Sequence, residues 1–145
     1  MLRLLAIASL LFLGLARAHA EDVRKATLYK NPQCSCCEGY ANYLRANGFK
    51  VEVKPTNDLT EISRKAGVPE DFQGCHTMFI DGYVVDGHVP VNTVNKLLRE
   101  RPAIAGITLP GMPMGSPGMT GAKTVPFTIY AVTKDGKAPT VYATE

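Results

Sequence analysis

Asn31-Pro32-Gln33-Cys34-Ser35-Cys36-Cys37 and the later Cys75-His76 gather every cysteine of this 145-residue chain into two short clusters. Three thiols within four positions are hard to explain as core packing, because thiolates held that close are reactive and repel one another. Two kinds of chemistry are on offer. Cys34 and Cys37 have the Cys-x-x-Cys spacing of a dithiol that opens and closes a disulfide, with Cys34 as nucleophile and Cys37 resolving. Cys36 is superfluous to that exchange, since a third sulfur would scramble the bond, yet it supplies one more ligand to a thiophilic ion. His76 is likewise superfluous to disulfide exchange and useful to a late transition metal.

These residues need elements to bring them together. Thr27-Leu28-Tyr29 has strand character and Lys30-Asn31-Pro32 ends it as a turn, after which Tyr40, Tyr43 and Leu44 fall on one face of a helix that Asn47-Gly48 stops. The first cysteine cluster therefore lies at a strand-to-helix junction, with Ser35 as the expected N-cap. There the helix dipole and free N–H groups favour thiolate. Phe49 to Pro55 alternates as a half-buried strand. Asp58-Leu59-Thr60-Glu61 resembles a capping box opening a short helix that Gly67 closes. Val68 to Gly74 reads as a loop. Thr77 to Ile80 and Tyr83 to Asp86 flank Asp81-Gly82, a strong hairpin signal that places Met78 in the core. A third helix is expected over Val91 to Glu100, buried through Val94, Leu97 and Leu98.

The order β-α-β-α-β-β-α is that of an α/β, thioredoxin-like domain, here spanning 21–101. In such domains a cis-proline commonly precedes the third strand, and His76 stands in its expected place with Cys75 beside it. Pro102 to Lys123, crowded with Gly and Pro and carrying Met112, Met114 and Met119, is expected to be a long loop. Phe127 to Val132 and Thr140 to Ala143 form a C-terminal hairpin, so that 102–145 is an extension of the same domain.

The first twenty residues belong to export rather than to the fold. Met1-Leu2-Arg3, an apolar run from Leu4 to Ala16 and Arg17-Ala18-His19-Ala20 read as a signal peptide cut after Ala20. The run is shorter than the ~20 residues a membrane-spanning helix needs. A periplasmic protein with no retained membrane span is expected. Losing Arg3 and Arg17 takes the formal charge from +3 to near neutrality, which argues against a nucleic-acid partner.

Cys34-Ser35-Cys36-Cys37, Cys75-His76-Thr77, the run Gly82 to Pro90 and the run Leu109 to Met119 together resemble the CopG-like (DUF411) family of small exported proteins linked to copper handling and resistance. The resemblance covers essentially the whole mature chain. It implies a thioredoxin-like fold and copper bound by Cys34, Cys36, Cys37, Cys75 and His76, with other periplasmic copper-handling proteins as partners. Ligand chemistry points the same way, since thiolate, thioether and imidazole suit Cu(I), and adjacent cysteines suit a bridged cluster of more than one ion. Zinc is the rival, because Cys₃His is an ordinary structural zinc set.

Plainer readings stand beside these. Cys34 and Cys37 could form a disulfide with Cys36 buried as a small hydrophobe, and Cys75 could form a second bridge to Cys36 or Cys34, giving a merely stapled domain. A thiol-disulfide oxidoreductase using Cys34 and Cys37 is the alternative function. His88, between Gly87 and Val89, is a weaker ligand candidate expected to hydrogen-bond to the loop. Met112, Met114 and Met119 either fold the Pro/Gly loop onto the core or line the copper site.

Overall fold

A computed structural model describes residues 24–145. The expected signal peptide, 1–20, lies outside the described residues. The elements run β1 (Lys25–Lys30), α1 (Ser35–Ala46), β2 (Lys50–Pro55), α2 (Leu59–Lys65), a single 3₁₀ turn (Glu70–Phe72), β3 (His76–Ile80), β4 (Tyr83–Gly87), α3 (Val91–Glu100), β5 (Gly106–Leu109), β6 (Thr128–Val132) and β7 (Thr140–Thr144). They form one mixed α/β domain around a seven-stranded sheet in the order β2-β1-β3-β4-β5-β6-β7. β1 runs parallel to β2 and β4 to β5, and the other neighbours are antiparallel.

Alternation along the strands separates two apolar layers. Leu28, Met78, Ile80, Val85, Ile107 and Ile129 face Tyr40, Ala41 and Leu44 of α1 and Val94, Leu97 and Leu98 of α3 in the main core. Val84 and Val132 point to the opposite face, where they pack with Val68, Ala66 and Phe72 around the end of α2. Met78 is fully buried, as its place in the hairpin requires. The two-residue turn Asp81-Gly82 has positive φ at both positions (48° and 82°), the geometry that matches the twist of the strands it joins.

Several sequence expectations shift. The helix begins at Ser35, so Cys34 takes the N-cap position and offers no side-chain hydrogen bond there. Asp58 occupies the N-cap of α2 but makes no capping bond. Glu61 turns instead to Arg64 and Lys65. Pro102 to Lys123 is not wholly a loop, because Gly106–Leu109 forms β5. All four of its residues are buried and its backbone pairs with β4 on one side and β6 on the other, which outweighs the turn-forming composition around it. Through β5 the C-terminal hairpin joins the main sheet. No helix among the described residues is long and apolar enough to cross a membrane.

The pairing also fixes where chemistry collects. Lys30, the last residue of β1, lies opposite His76, the first of β3. Thr77 lies opposite Asp86 near the end of β4, and Gly87 lies beside Leu109, the last residue of β5. The Cys34 loop, Cys75-His76, Gly87-His88 and the Met-containing loop all leave the sheet at this end.

Candidate metal centre

The four cysteines meet at that end. Cys34 and Cys37 are joined by a disulfide across the first turn of α1. Cys36 and Cys75 are free and half-buried. The Cys36 sulfur lies 3.3 Å from that of Cys34 and 3.8 Å from that of Cys75, and the Cys75 sulfur lies 3.2 Å from that of Cys37. The ligand atoms of Cys34, Cys36, Cys37 and Cys75 all lie within 4.8 Å of one another, and so do those of Cys37, Cys75, His76 and His88. Cys37 and Cys75 belong to both sets, so the donors form one continuous patch.

The two histidines are fully buried but differently served. His88 Nε2 is 3.2 Å from the Cys75 sulfur, while Nδ1 donates to the Pro117 carbonyl oxygen at 2.6 Å. A carbonyl on one ring nitrogen fixes the tautomer and leaves the other with its lone pair toward the sulfurs, as in metal-binding histidines. His76 Nδ1 lies 3.8 Å from the Cys75 sulfur, and its Nε2 has no hydrogen-bond partner. Tyr40 stacks on the His76 ring at 4.6 Å, and the two imidazoles meet edge to face at 5.0 Å. Tyr40 is itself held by its hydroxyl, which donates to the Val89 carbonyl oxygen.

Burial keeps both imidazoles neutral and the Cys75 thiol protonated. Burial and the neighbouring His88 push the His76 pKa down to about 3, and burial also lowers that of His88. Burial, reinforced by Cys36, pushes the Cys75 thiol up to about 12. A soft cation would displace the Cys75 thiol proton and take the neutral imidazole lone pairs. The Cys/His donor set fits such an ion.

Two buried polar groups support the site. Asp86, fully buried, accepts hydrogen bonds from the Gly74 N–H and from the Thr77 hydroxyl, which in turn contacts Ser63. It thereby ties down the residues on either side of Cys75-His76, and burial raises its pKa to about 6. Lys30 donates at 3.2 Å to the carbonyl oxygens of Asn31, Pro32 and Cys34.

The loop expected to carry weaker ligands closes one side. Gly118, at φ 84°, sits so tightly on α1 that a Cβ there would lie 2.4 Å from the Tyr40 nitrogen. Met119 follows it and is half-buried, as is Met112, while Met114 is exposed with its methyl end against Gly121. His88 bonds to this loop through Pro117 and also faces Cys75. A two-residue turn at Asp81-Gly82 pairs Ile80 with Tyr83 and Thr77 with Asp86, and continuing that register sets Cys75 opposite His88. That signal was present in the sequence.

Comparison with known proteins places this arrangement. The family described as a protein of unknown function, DUF411, matches residues 72–119. Two solved structures of a copper resistance protein, CopG, are similar over most of the chain. Its form 2 is 36% identical over 86% of this chain and 99% of that one, with a TM-score of 0.79. Its form 1 is 37% identical over 83% and 96%, with a TM-score of 0.76. The chain belongs to the CopG-like, DUF411 family. No curated protein sequence matches it. The segment matched by the family model contains Cys75, His76 and His88, and the Cys34-Ser35-Cys36-Cys37 arm precedes it.

Proposed function

We propose that this CopG-like protein is an exported, periplasmic copper-handling protein that binds Cu(I), on a thioredoxin-like frame, through Cys34, Cys36, Cys37, Cys75 and His76, with His88 as a sixth donor. The observation that carries the proposal is the single patch of four sulfurs and two neutral imidazoles, one with a buried, unpartnered nitrogen. The description of the solved relatives as copper resistance proteins supports copper as the ion. Soft sulfur donors select Cu(I), and the sharing of Cys37 and Cys75 between two ligand sets favours bridging of more than one ion over zinc's closed tetrahedron. The strand order β2-β1-β3-β4, with β3 antiparallel to its neighbours, supports the thioredoxin-like frame.

In the disulfide form Cys34 and Cys37 are unavailable as ligands, so full copper loading requires two electrons to open that bond. Because thiols can return those electrons to Cu(II), copper binding and thiol redox are coupled in this reading. A dedicated thiol-disulfide oxidoreductase is disfavoured, since Cys36 sits 3.3 Å from Cys34 and would compete in any exchange. The test is an anaerobic Cu(I) titration of the reduced protein against a competing chelator, repeated for Cys36→Ser and His76→Ala. Wild type should bind more tightly than a Cys-x-x-Cys peptide, and both substitutions should lower affinity or stoichiometry. Binding no tighter than the peptide, or indifference to both substitutions, would contradict it.

A further inference from the structure

Lys30 is buried, only 3% exposed, although it is a lysine at the end of a strand. A buried ammonium is expensive unless its donors are satisfied and its charge is answered. Its donors are satisfied: Nζ reaches the carbonyl oxygens of Asn31, Pro32 and Cys34, each at 3.2 Å. Its charge is answered only in part, by Glu38 at 3.4 Å, whose side chain is half-exposed. All three carbonyls belong to the turn that carries Cys34 to the mouth of α1. Nothing in that turn needs a cation for its own closure, because Cys34 N–H donates to the Asn31 carbonyl and Gln33 N–H to the Asn31 side chain.

We infer that Lys30 is a positioning and charge-balancing residue of the sulfur centre, clamping the Cys34 turn and favouring its reduced, metal-binding form over the Cys34–Cys37 disulfide. The clamp gathers three carbonyl oxygens of that turn on the ammonium. The helix end offers no oxygen side chain as a cap, which leaves its first N–H groups to the cysteines. The reduced pair, as thiolate or as Cu(I)-thiolate, is more negative than the disulfide, and a fixed cation at low dielectric stabilises it selectively. With glutathione the reaction is Cys34–Cys37 disulfide plus two glutathione thiols giving the dithiol plus glutathione disulfide. One S–S bond breaks, one forms, and two thiol protons pass to the protein sulfurs, or to solvent where a sulfur stays thiolate.

This inference rests on the proposed role of the cysteines as a reducible metal centre, but its test uses metal-free protein. Its failure therefore leaves the copper titration standing, and failure to bind copper leaves this measurement interpretable. The full folded protein is equilibrated anaerobically across glutathione redox ratios, the thiols are trapped, and the Cys34–Cys37 bond is quantified by mass spectrometry of peptides. Lys30→Met, which keeps the stem and removes the charge, should shift the equilibrium about tenfold toward the disulfide, a potential about 30 mV more negative. Lys30→Arg should stay within about threefold of wild type. Glu38→Gln, at a half-exposed position that folding tolerates, should shift it a few-fold the other way, toward the dithiol. A Lys30→Met protein within twofold of wild type, or an arginine variant displaced as far as the methionine one, would overturn the inference. Should Lys30→Met fail to fold, an unchanged or disulfide-favouring Glu38→Gln would overturn it as well.

Discussion

The two arms of the sulfur centre are built on different principles. The helix arm, Cys34 to Cys37, is a local structure: four consecutive residues at the mouth of α1, closed by its own disulfide and clamped by Lys30 from the adjoining strand end. The strand arm, Cys75, His76 and His88, is assembled by register between β3 and β4 and by contacts from distant loops, with both imidazoles fully buried. In the proposed centre, redox state decides what the first arm offers a metal, whereas packing decides what the second offers. A centre made this way has one half preformed and one half that must be opened by reduction.

Breaking the strand arm through its backbone should have the largest effect. Gly87 has φ 74°, and a Cβ there would stand 2.2 Å from the Leu109 carbonyl oxygen of the neighbouring strand. Gly87→Ala should cost about 3–4 kcal/mol of stability by combining a left-handed conformation with a backbone clash, measurable by urea unfolding. The equivalent insult to the helix arm is milder, because its geometry is local: breaking the disulfide with reductant should leave the fold intact by far-ultraviolet circular dichroism.

Next in size is a comparison between cysteines. Cys75 belongs to both ligand sets and Cys34 to only one. Cys75→Ser should weaken Cu(I) binding by about 100-fold, about 2.7 kcal/mol, and Cys34→Ser by distinctly less, read by chelator competition on reduced protein. Equal losses would erase the distinction between the arms.

A smaller effect is expected at Asp86, which secures the strand arm from beneath. Asp86→Asn retains one acceptor and leaves either the Gly74 N–H or the Thr77 hydroxyl without its carboxylate partner, at a cost of about 1–3 kcal/mol. Its pKa of about 6 lies above the ordinary carboxyl value, so the native state binds the extra proton and the linked stability is complete below about pH 4. That stability is lost as pH rises through about 6. The gap between wild type and Asp86→Asn in thermal melts should therefore be wider at pH 4 than at pH 7.

Legibility in the sequence divides along the same line. The helix arm could be read directly, because its residues are contiguous and sit between a strand pattern and a helical period. The hairpin at Asp81-Gly82 and the buried face of α3 were equally plain, being set by local turn chemistry and periodicity. β5 was missed because four buried residues between Pro102 and Pro110 carry too short a pattern to outweigh the surrounding Gly and Pro, and only pairing with β4 and β6 makes them a strand. His88 is less conspicuous in the sequence than His76, although hairpin register alone sets it opposite Cys75. Lys30 and Asp86 gave no local sign of their roles, since a lysine ending a strand and an aspartate within one are ordinarily solvated. Their burial comes from tertiary packing that no short window contains. The capping expectations at Ser35 and Asp58 failed for a related reason: local propensity nominated a cap where the protein uses that end otherwise.

The central claim, that one continuous patch of sulfur and imidazole holds Cu(I), is tested most directly by X-ray absorption at the copper edge of the reduced, copper-loaded protein. A first shell dominated by sulfur is predicted, with a nitrogen contribution that diminishes in both His76→Ala and His88→Ala. A first shell of nitrogen and oxygen alone, or a spectrum that neither histidine substitution changes, would contradict it.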